Sequence, residues 1–132
     1  MGLFNKLIGN KENEASSGSS QVNWIPLKDL AQLDEIAKES NELPVAIFKH
    51  STRCGISRMV LNGFEREFEY SDSQVKMYFL DLIAYRAISN EIAERFKVWH
   101  ESPQLLVISK GEAVHHSSHS AISASAIGEF TA

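Results

Sequence analysis

The chain has 132 residues, of which 43% are apolar and 23% charged, with one cysteine and a formal charge of -4. This length accommodates one domain with a core and is too short for two ordinary ones, and the composition excludes a disordered chain. The acidic balance argues against a general nucleic-acid or membrane surface, so we expect neither partner. A single cysteine cannot form an intramolecular disulfide, which fits a reducing compartment, and we predict a cytoplasmic protein.

Residues 1–21 differ in composition from the rest of the chain. A short apolar patch at Leu3, Phe4, Leu7 and Ile8 precedes a polar stretch that is rich in serine. Such a composition predicts a flexible N-terminal leader, followed by a single domain over residues 22–132. The apolar patch is either part of a disordered leader or a weak docking patch.

The predicted elements alternate between strands and helices. An extended segment is expected at 22–27, and apolar residues from Leu27 to Ile36 at intervals of three predict a helix that Pro44 prevents from continuing. The continuous apolar run Val45–Phe48 predicts a central strand covered on both faces. A helix should follow over 56–68, because apolar residues recur there every four positions.

The second half continues the pattern. A buried strand is predicted at 75–82, and a helix at 88–96 with Ser89 or Asn90 as its cap. Residues 104–109 form a further strand, a turn at 110–112 leads into an antiparallel partner, and a terminal helix is expected at 121–130. Alternation that ends in a hairpin predicts an α/β sandwich, a mixed sheet with helices on both faces.

Cys54 lies where the central strand breaks into a polar turn and the second helix begins. A thiol reacts as the thiolate, and a helix N-terminus favours negative charge. Ser57, one helical turn later, can donate its hydroxyl to that thiolate. Four cationic or titratable residues lie nearby in sequence: Lys49, His50, Arg53 and Arg58. Burial as a small apolar residue is the alternative, but the polar turn favours a reactive thiol at the carboxyl end of the sheet.

Two segments together resemble a known family. The run Phe48–Ser57, which reads Phe-Lys-His-Ser-Thr-Arg-Cys-Gly-Ile-Ser, and the run His100–Gln104, which reads His-Glu-Ser-Pro-Gln, closely resemble the YtxJ family of monothiol bacilliredoxins. The resemblance covers about residues 22–130 and implies a thioredoxin-like fold. Gly55 departs from the family pattern, because many members have proline at this position.

The resemblance implies a thiol-disulfide oxidoreductase. Cys54 would attack the bacillithiol sulfur of a mixed disulfide and free an S-thiolated client protein, with bacillithiol or another low-molecular-weight thiol as cosubstrate and no permanently bound cofactor. Ser102 would face the thiol, and Pro103 would follow a cis peptide bond. The predicted catalytic residues are Cys54 and Ser57, and the predicted substrate-binding residues are Thr52, Arg53, Gly55, Arg58, Ser102 and Pro103.

The sequence has no second cysteine with which to resolve an adduct on Cys54. An external thiol must therefore reset the protein. Arg53 and Arg58 are either ligands for the carboxylates of that anionic thiol or solvated surface cations.

Other functions compete with this interpretation. The Cys54–Ser57 run differs by one residue from the Cys-Gly-Phe-Ser of monothiol glutaredoxins, which handle iron–sulfur clusters, but the paired glycines of that group are missing after Pro103. A peroxiredoxin would need proline where this chain has Ile47. A thioredoxin-fold binding module with an incidental thiol remains an alternative.

Weaker signals come from histidine and tryptophan. His115, His116 and His119 lack a nearby carboxylate or cysteine that would complete a ligand set, so we predict a strand end and polar loop there and no metal. In an extended strand His50 points away from the next residue, so it is not predicted to be a base. The two tryptophans, Trp24 and Trp99, are predicted to be packing residues and not a platform for a ligand.

Overall fold

The computed structural model describes residues 22–131, and the predictions for residues 1–21 lie outside that range. The elements, in chain order, are β1 Ile25–Pro26, α1 Ala31–Glu39, β2 Val45–His50, α2 Gly55–Glu67, β3 Lys76–Asp81, α3 Arg86–Phe96, β4 Gln104–Ser109 and β5 Glu112–Ser118, followed by two 3₁₀ helices at His119–Ala121 and Ala124–Glu129.

The strands form one mixed sheet in the order β1-β3-β2-β4-β5. Strand β2 pairs in parallel with β3, which lies beyond the crossover helix α2, and antiparallel with β4. Strands β4 and β5 form a hairpin, whose turn places Lys110 and Gly111 at φ 53° and 79°. Glycine suits this left-handed conformation because it has no Cβ to clash with the backbone. The predicted α/β architecture is confirmed.

Alternation along β2 divides the core into two layers. Val45 and Ile47 face the side covered by α1 and α3, whereas Ala46 and Phe48 face α2 and the C-terminal 3₁₀ helix. All six residues of β2 are buried, which confirms the prediction of a central strand covered on both faces. Within residues 22–131, no helix is both long and apolar enough to cross a membrane.

Several element boundaries differ from those predicted. Leu27 belongs to the extended segment, because its N–H donates to the Phe79 carbonyl at 2.9 Å, and α1 begins four residues later. Helix α3 begins before Ser89, with Tyr85 at its N-cap, so the predicted caps are wrong. The terminal segment forms 3₁₀ turns and no α-helix. Gly128 packs so closely on the Tyr70 hydroxyl that an added Cβ would lie 2.8 Å from that oxygen.

Candidate active site

The turn between β2 and α2 presents Cys54 at the start of the helix. The Cys54 N–H donates to the Ser51 carbonyl at 3.2 Å, and the Arg58 N–H donates to the Cys54 carbonyl at 3.1 Å, closing the first helical turn. Cys54 itself is the N-cap, with extended backbone angles, and its side chain is half-buried. The thiol therefore lies beside the unpaired N–H groups of a helix N-terminus, which favour a negative charge.

The four cationic or titratable neighbours of Cys54 separate in space. Arg53 and Arg58 are exposed on the turn and on the first turn of α2, as are Thr52 and Gly55. Lys49, by contrast, is fully buried and does not join them at the surface. It faces the α1 and α3 side of the sheet, where its Nζ lies 3.3 Å from His100 Nδ1.

Burial lowers the pKa values of both Lys49 and His100. Desolvation lowers the pKa of Lys49 to about 8, because the charged ammonium loses water and no carboxylate among residues 22–131 takes its place. Burial, followed by the positive charges of Lys49 and Arg86, also lowers the pKa of His100. Ser89 Oγ completes the cluster at 3.2 Å from His100 Nδ1.

The Ser57 hydroxyl is engaged on the opposite face of the sheet. Ser57 is fully buried, and its Oγ lies 2.8 Å from His50 Nδ1 while accepting the Ser51 N–H at 3.1 Å. His50 is also buried. Donation from Ser57 to the Cys54 thiolate stays a prediction. It requires that His50 Nδ1 carry a proton and donate to Ser57 Oγ, because otherwise the Ser57 hydroxyl donates to His50 Nδ1.

Sequence reasoning missed the His50–Ser57 pair. Alternation does turn His50 away from Ser51, as predicted, but it also places His50 on the same face as Phe48. Phe48 packs edge-on against Phe64 of α2, with ring centroids 5.4 Å apart. The helix that carries Ser57 therefore covers the His50 face of the strand. The His50–Ser57 contact could have been predicted by combining the periodicity of α2 with the alternation of side chains along β2.

The loop before β4 lies at the same end of the sheet. Gln104 pairs with Lys49 in the antiparallel register of β4 and β2, so Ser102 and Pro103 lie beyond the carboxyl end of β2. The Ser102–Pro103 peptide bond is cis, as the family resemblance implied. Pro103 is buried, and Ser102 Oγ is buried without a hydrogen-bond partner in the part of the chain that the structure describes. Topology thus brings the two predicted substrate-binding segments to one edge.

His115, His116 and His119 and the two tryptophans lie outside the site around Cys54. His115 and His116 lie in β5, and His119 Nδ1 is 4.0 Å from a Glu101 carboxylate oxygen. Over residues 22–131, no group of three or more histidine, cysteine or carboxylate side chains could hold a metal ion. Trp24 stacks on Phe64 in the core, as predicted. The prediction for Trp99 was wrong, because its side chain is 91% exposed.

The family model for the monothiol bacilliredoxin BrxC matches residues 25–127. The chain belongs to this family. The resemblance inferred from the motifs of the sequence is therefore confirmed for this bacilliredoxin. Among residues 22–131, no atom lies within 4 Å of where a Cβ on Gly55 would stand, so a side chain could be accommodated at this position.

Solved structures support the same fold for the bacilliredoxin. A protein described as an oxidoreductase with a thioredoxin fold is 29% identical, with a TM-score of 0.69 over 80% of this chain and 91% of its own. The thioredoxin of Malassezia sympodialis is 18% identical (TM-score 0.63, 90% and 98% covered). The Nicotiana alata thioredoxin is 16% identical (TM-score 0.63, 89% and 100% covered). The chain is thus a thioredoxin-like bacilliredoxin, and its family supports a redox role.

Proposed function

We propose that the protein removes bacillithiol, or a similar low-molecular-weight thiol, from mixed disulfides on client proteins. The observation that carries this proposal is the position of the only cysteine of the chain. Cys54 is a half-buried N-cap at the carboxyl end of the central strand, and Ser57 occupies the place one helical turn later. A thiol at a helix N-terminus is poised to react as the thiolate.

The proposed reaction has two thiol–disulfide exchanges. In the first, the Cys54 thiolate attacks the bacillithiol sulfur of the mixed disulfide, the disulfide bond to the client breaks, and the client leaves as a thiolate that takes up a proton. Cys54 now holds bacillithiol in a new disulfide. In the second, an external thiolate attacks this adduct, forms a disulfide with the departing bacillithiol and regenerates the Cys54 thiolate.

Exposed groups around the turn are suited to the cosubstrate. Arg53 and Arg58 flank Cys54 and are open to solvent, so they can meet the carboxylates of an anionic thiol. Thr52 and Gly55 border the thiol on the same turn. Ser102 offers backbone groups to the client from the facing loop, and the cis peptide bond to Pro103 sets the course of that loop. Bacillithiol acts here as a cosubstrate and not as a resident cofactor.

Release of a bacillithiol-modified client tests the proposal. The wild-type protein should release the client thiol much faster than free bacillithiol does alone, and Cys54→Ser should leave only the background rate. No other thiol of the protein can substitute for Cys54 in this variant, since the chain contains one cysteine. If Cys54→Ser, shown to be folded, releases the client as fast as wild type does, the proposed nucleophile is wrong.

The same preparation distinguishes the iron–sulfur alternative. A monothiol glutaredoxin-like protein purified without oxygen would carry a coloured cluster, whereas the proposed bacilliredoxin should show only aromatic absorbance. A cluster that persists through purification and is lost in Cys54→Ser would replace the proposal by the cluster-binding function.

A further inference from the structure

The buried His50–Ser57 pair lies directly beneath the helix N-terminus that holds Cys54. Cys54 is the N-cap of α2 and Ser57 is its third residue, so the two residues lie one helical turn apart. In a capping box, the side chain at the first of these positions accepts the backbone N–H of the second, and the side chain of the second reaches the backbone N–H of the first. The capping bond itself is not made, because the Cys54 side chain accepts no backbone N–H. A polar hydroxyl, buried and already fixed at 2.8 Å from an imidazole nitrogen, thus stands one helical turn from the thiol.

The hydrogen-bond capacity of Ser57 allows two complete arrangements. A serine hydroxyl has one proton to donate and two lone pairs. One lone pair accepts the Ser51 N–H in both arrangements. If His50 Nδ1 is unprotonated, Ser57 donates to it and keeps one lone pair, which suits a neutral thiol as donor. If His50 Nδ1 carries a proton, it fills that lone pair, and the Ser57 proton is free to donate to a thiolate.

We propose that His50 is a positioning residue for Cys54 that acts through the Ser57 hydroxyl. When the thiol ionises, its proton passes to Ser57 Oγ while the Ser57 proton passes to His50 Nδ1. No proton is gained or lost by the group of three, and Ser57 ends as a neutral hydroxyl that donates to the thiolate. This inference rests on the nucleophilic role proposed for Cys54 and adds the base that receives its proton.

The charges around His50 set how readily it accepts a proton. Burial lowers the pKa of His50, and the positive charge of Arg58 on α2 lowers it further. Asp81, which lies opposite His50 in β3, and Glu65 on α2 act in the other direction. Lys49, the neighbour in β2, is turned to the other face of the sheet. A negative charge that develops on Cys54 adds to the acidic side of this balance and favours an imidazolium.

The pH dependence of Cys54 alkylation by iodoacetamide tests the relay without any bacillithiol. His50→Asn keeps an acceptor at the position of Nδ1 but cannot hold the proton. We expect the pH of half-maximal alkylation rate to rise by about one unit, so that the rate at pH 7 falls roughly tenfold. Ser57→Ala should produce the same change, and the double variant should add little to either single one.

His116→Gln is the matched control, because His116 is exposed on β5, and its profile should coincide with that of wild type. A His50→Asn profile that also coincides with wild type would overturn the relay. That outcome would leave the proposed transfer reaction standing, provided that client release still requires Cys54.

A second measurement uses a variant that leaves the pair in place. In an NMR titration, the His50 ring of wild type should show an additional inflection where Cys54 ionises, and Cys54→Ala should lack it. Identical His50 titration curves in the two proteins would show that the imidazole and the thiol are uncoupled, and the relay would then be rejected.

Discussion

Lys49 and His50 are neighbours at the end of the same strand, yet their side chains lie on opposite faces of the sheet and have different partners. His50 turns toward α2 and shares a hydrogen bond with Ser57, so its polarity is tied to the helix that carries the thiol. Lys49 turns toward α1 and α3, where the only polar partner that the described residues offer is His100. The two faces of the sheet therefore hold one satisfied neutral pair and one poorly compensated charge.

The energetic cost of burying a polar group at the end of β2 therefore depends on whether the group has a partner. A buried neutral pair costs little when every donor and acceptor is used. A buried ammonium without a carboxylate lowers stability unless it gives up its proton. We therefore expect changes on the Lys49 side to alter mainly stability, and changes on the His50 side to alter both stability and the reactivity of Cys54.

The largest effect on stability is expected for Lys49→Met, which keeps the length of the side chain and removes the charge. The free energy of unfolding at pH 7 should increase by about 1–3 kcal/mol, because the depressed pKa of Lys49 measures the unfavourable burial of its charged form. Urea unfolding monitored by circular dichroism measures the change. A less stable Lys49→Met protein would mean that the ammonium is well compensated.

The stability of the wild-type protein should itself depend on pH above neutrality. Between about 8 and the ordinary lysine pKa of 10.5, the unfolded chain holds a proton on Lys49 that the folded protein has lost. Because the unfolded state binds more protons, stability rises with pH in this window, by about 2 kcal/mol from pH 7 to pH 10.

Lys49→Met isolates this contribution, since the other titrating groups are common to both proteins. The difference in the free energy of unfolding between the variant and wild type should shrink as the pH is raised. A difference that stays constant from pH 7 to pH 10 would contradict the lowered pKa of Lys49.

A smaller effect is expected from paired serine variants, one on each face. Ser57→Ala leaves the Ser51 N–H and the buried His50 Nδ1 without their partner and should lower the free energy of unfolding by about 1–2 kcal/mol. Ser89→Ala removes an equally buried hydroxyl, but its partner His100 lies at the surface and can bond to water, so the loss should stay below about 1 kcal/mol. Equal losses would remove the distinction between the two faces.

Much of the fold could be predicted because it follows from periodicity. The continuous apolar run Val45–Phe48 suffices to place a central strand, and the four-residue repeat from Ile56 to Phe68 suffices to place α2 against it. The C-terminal segment could not be predicted in the same way. Gly128 there packs closely against Tyr70, a contact between residues far apart in sequence that a local pattern does not reveal.

Features of the site that depend on neighbouring residues in sequence could be predicted, whereas features that depend on tertiary packing were missed. The N-cap position of Cys54 follows from the turn that precedes it, and the place of Pro103 follows from the family. The burial of Lys49 was not predicted, because lysine is seldom buried, although strand alternation places it on the Ile47 face of the core. Trp99 was predicted to be a packing residue, but it lies in the loop after α3 and is exposed.

The central claim, a one-cysteine acceptor that an outside thiol must reset, is tested most directly by the intact mass of the protein after a single turnover. After reaction with one equivalent of a bacillithiol-modified client, and removal of the released client whose thiol could reverse the transfer, the protein should carry one bacillithiol in a disulfide with Cys54 and keep it until an external thiol is added. A client released without any adduct on Cys54, or an adduct lost in the absence of added thiol, would contradict the account.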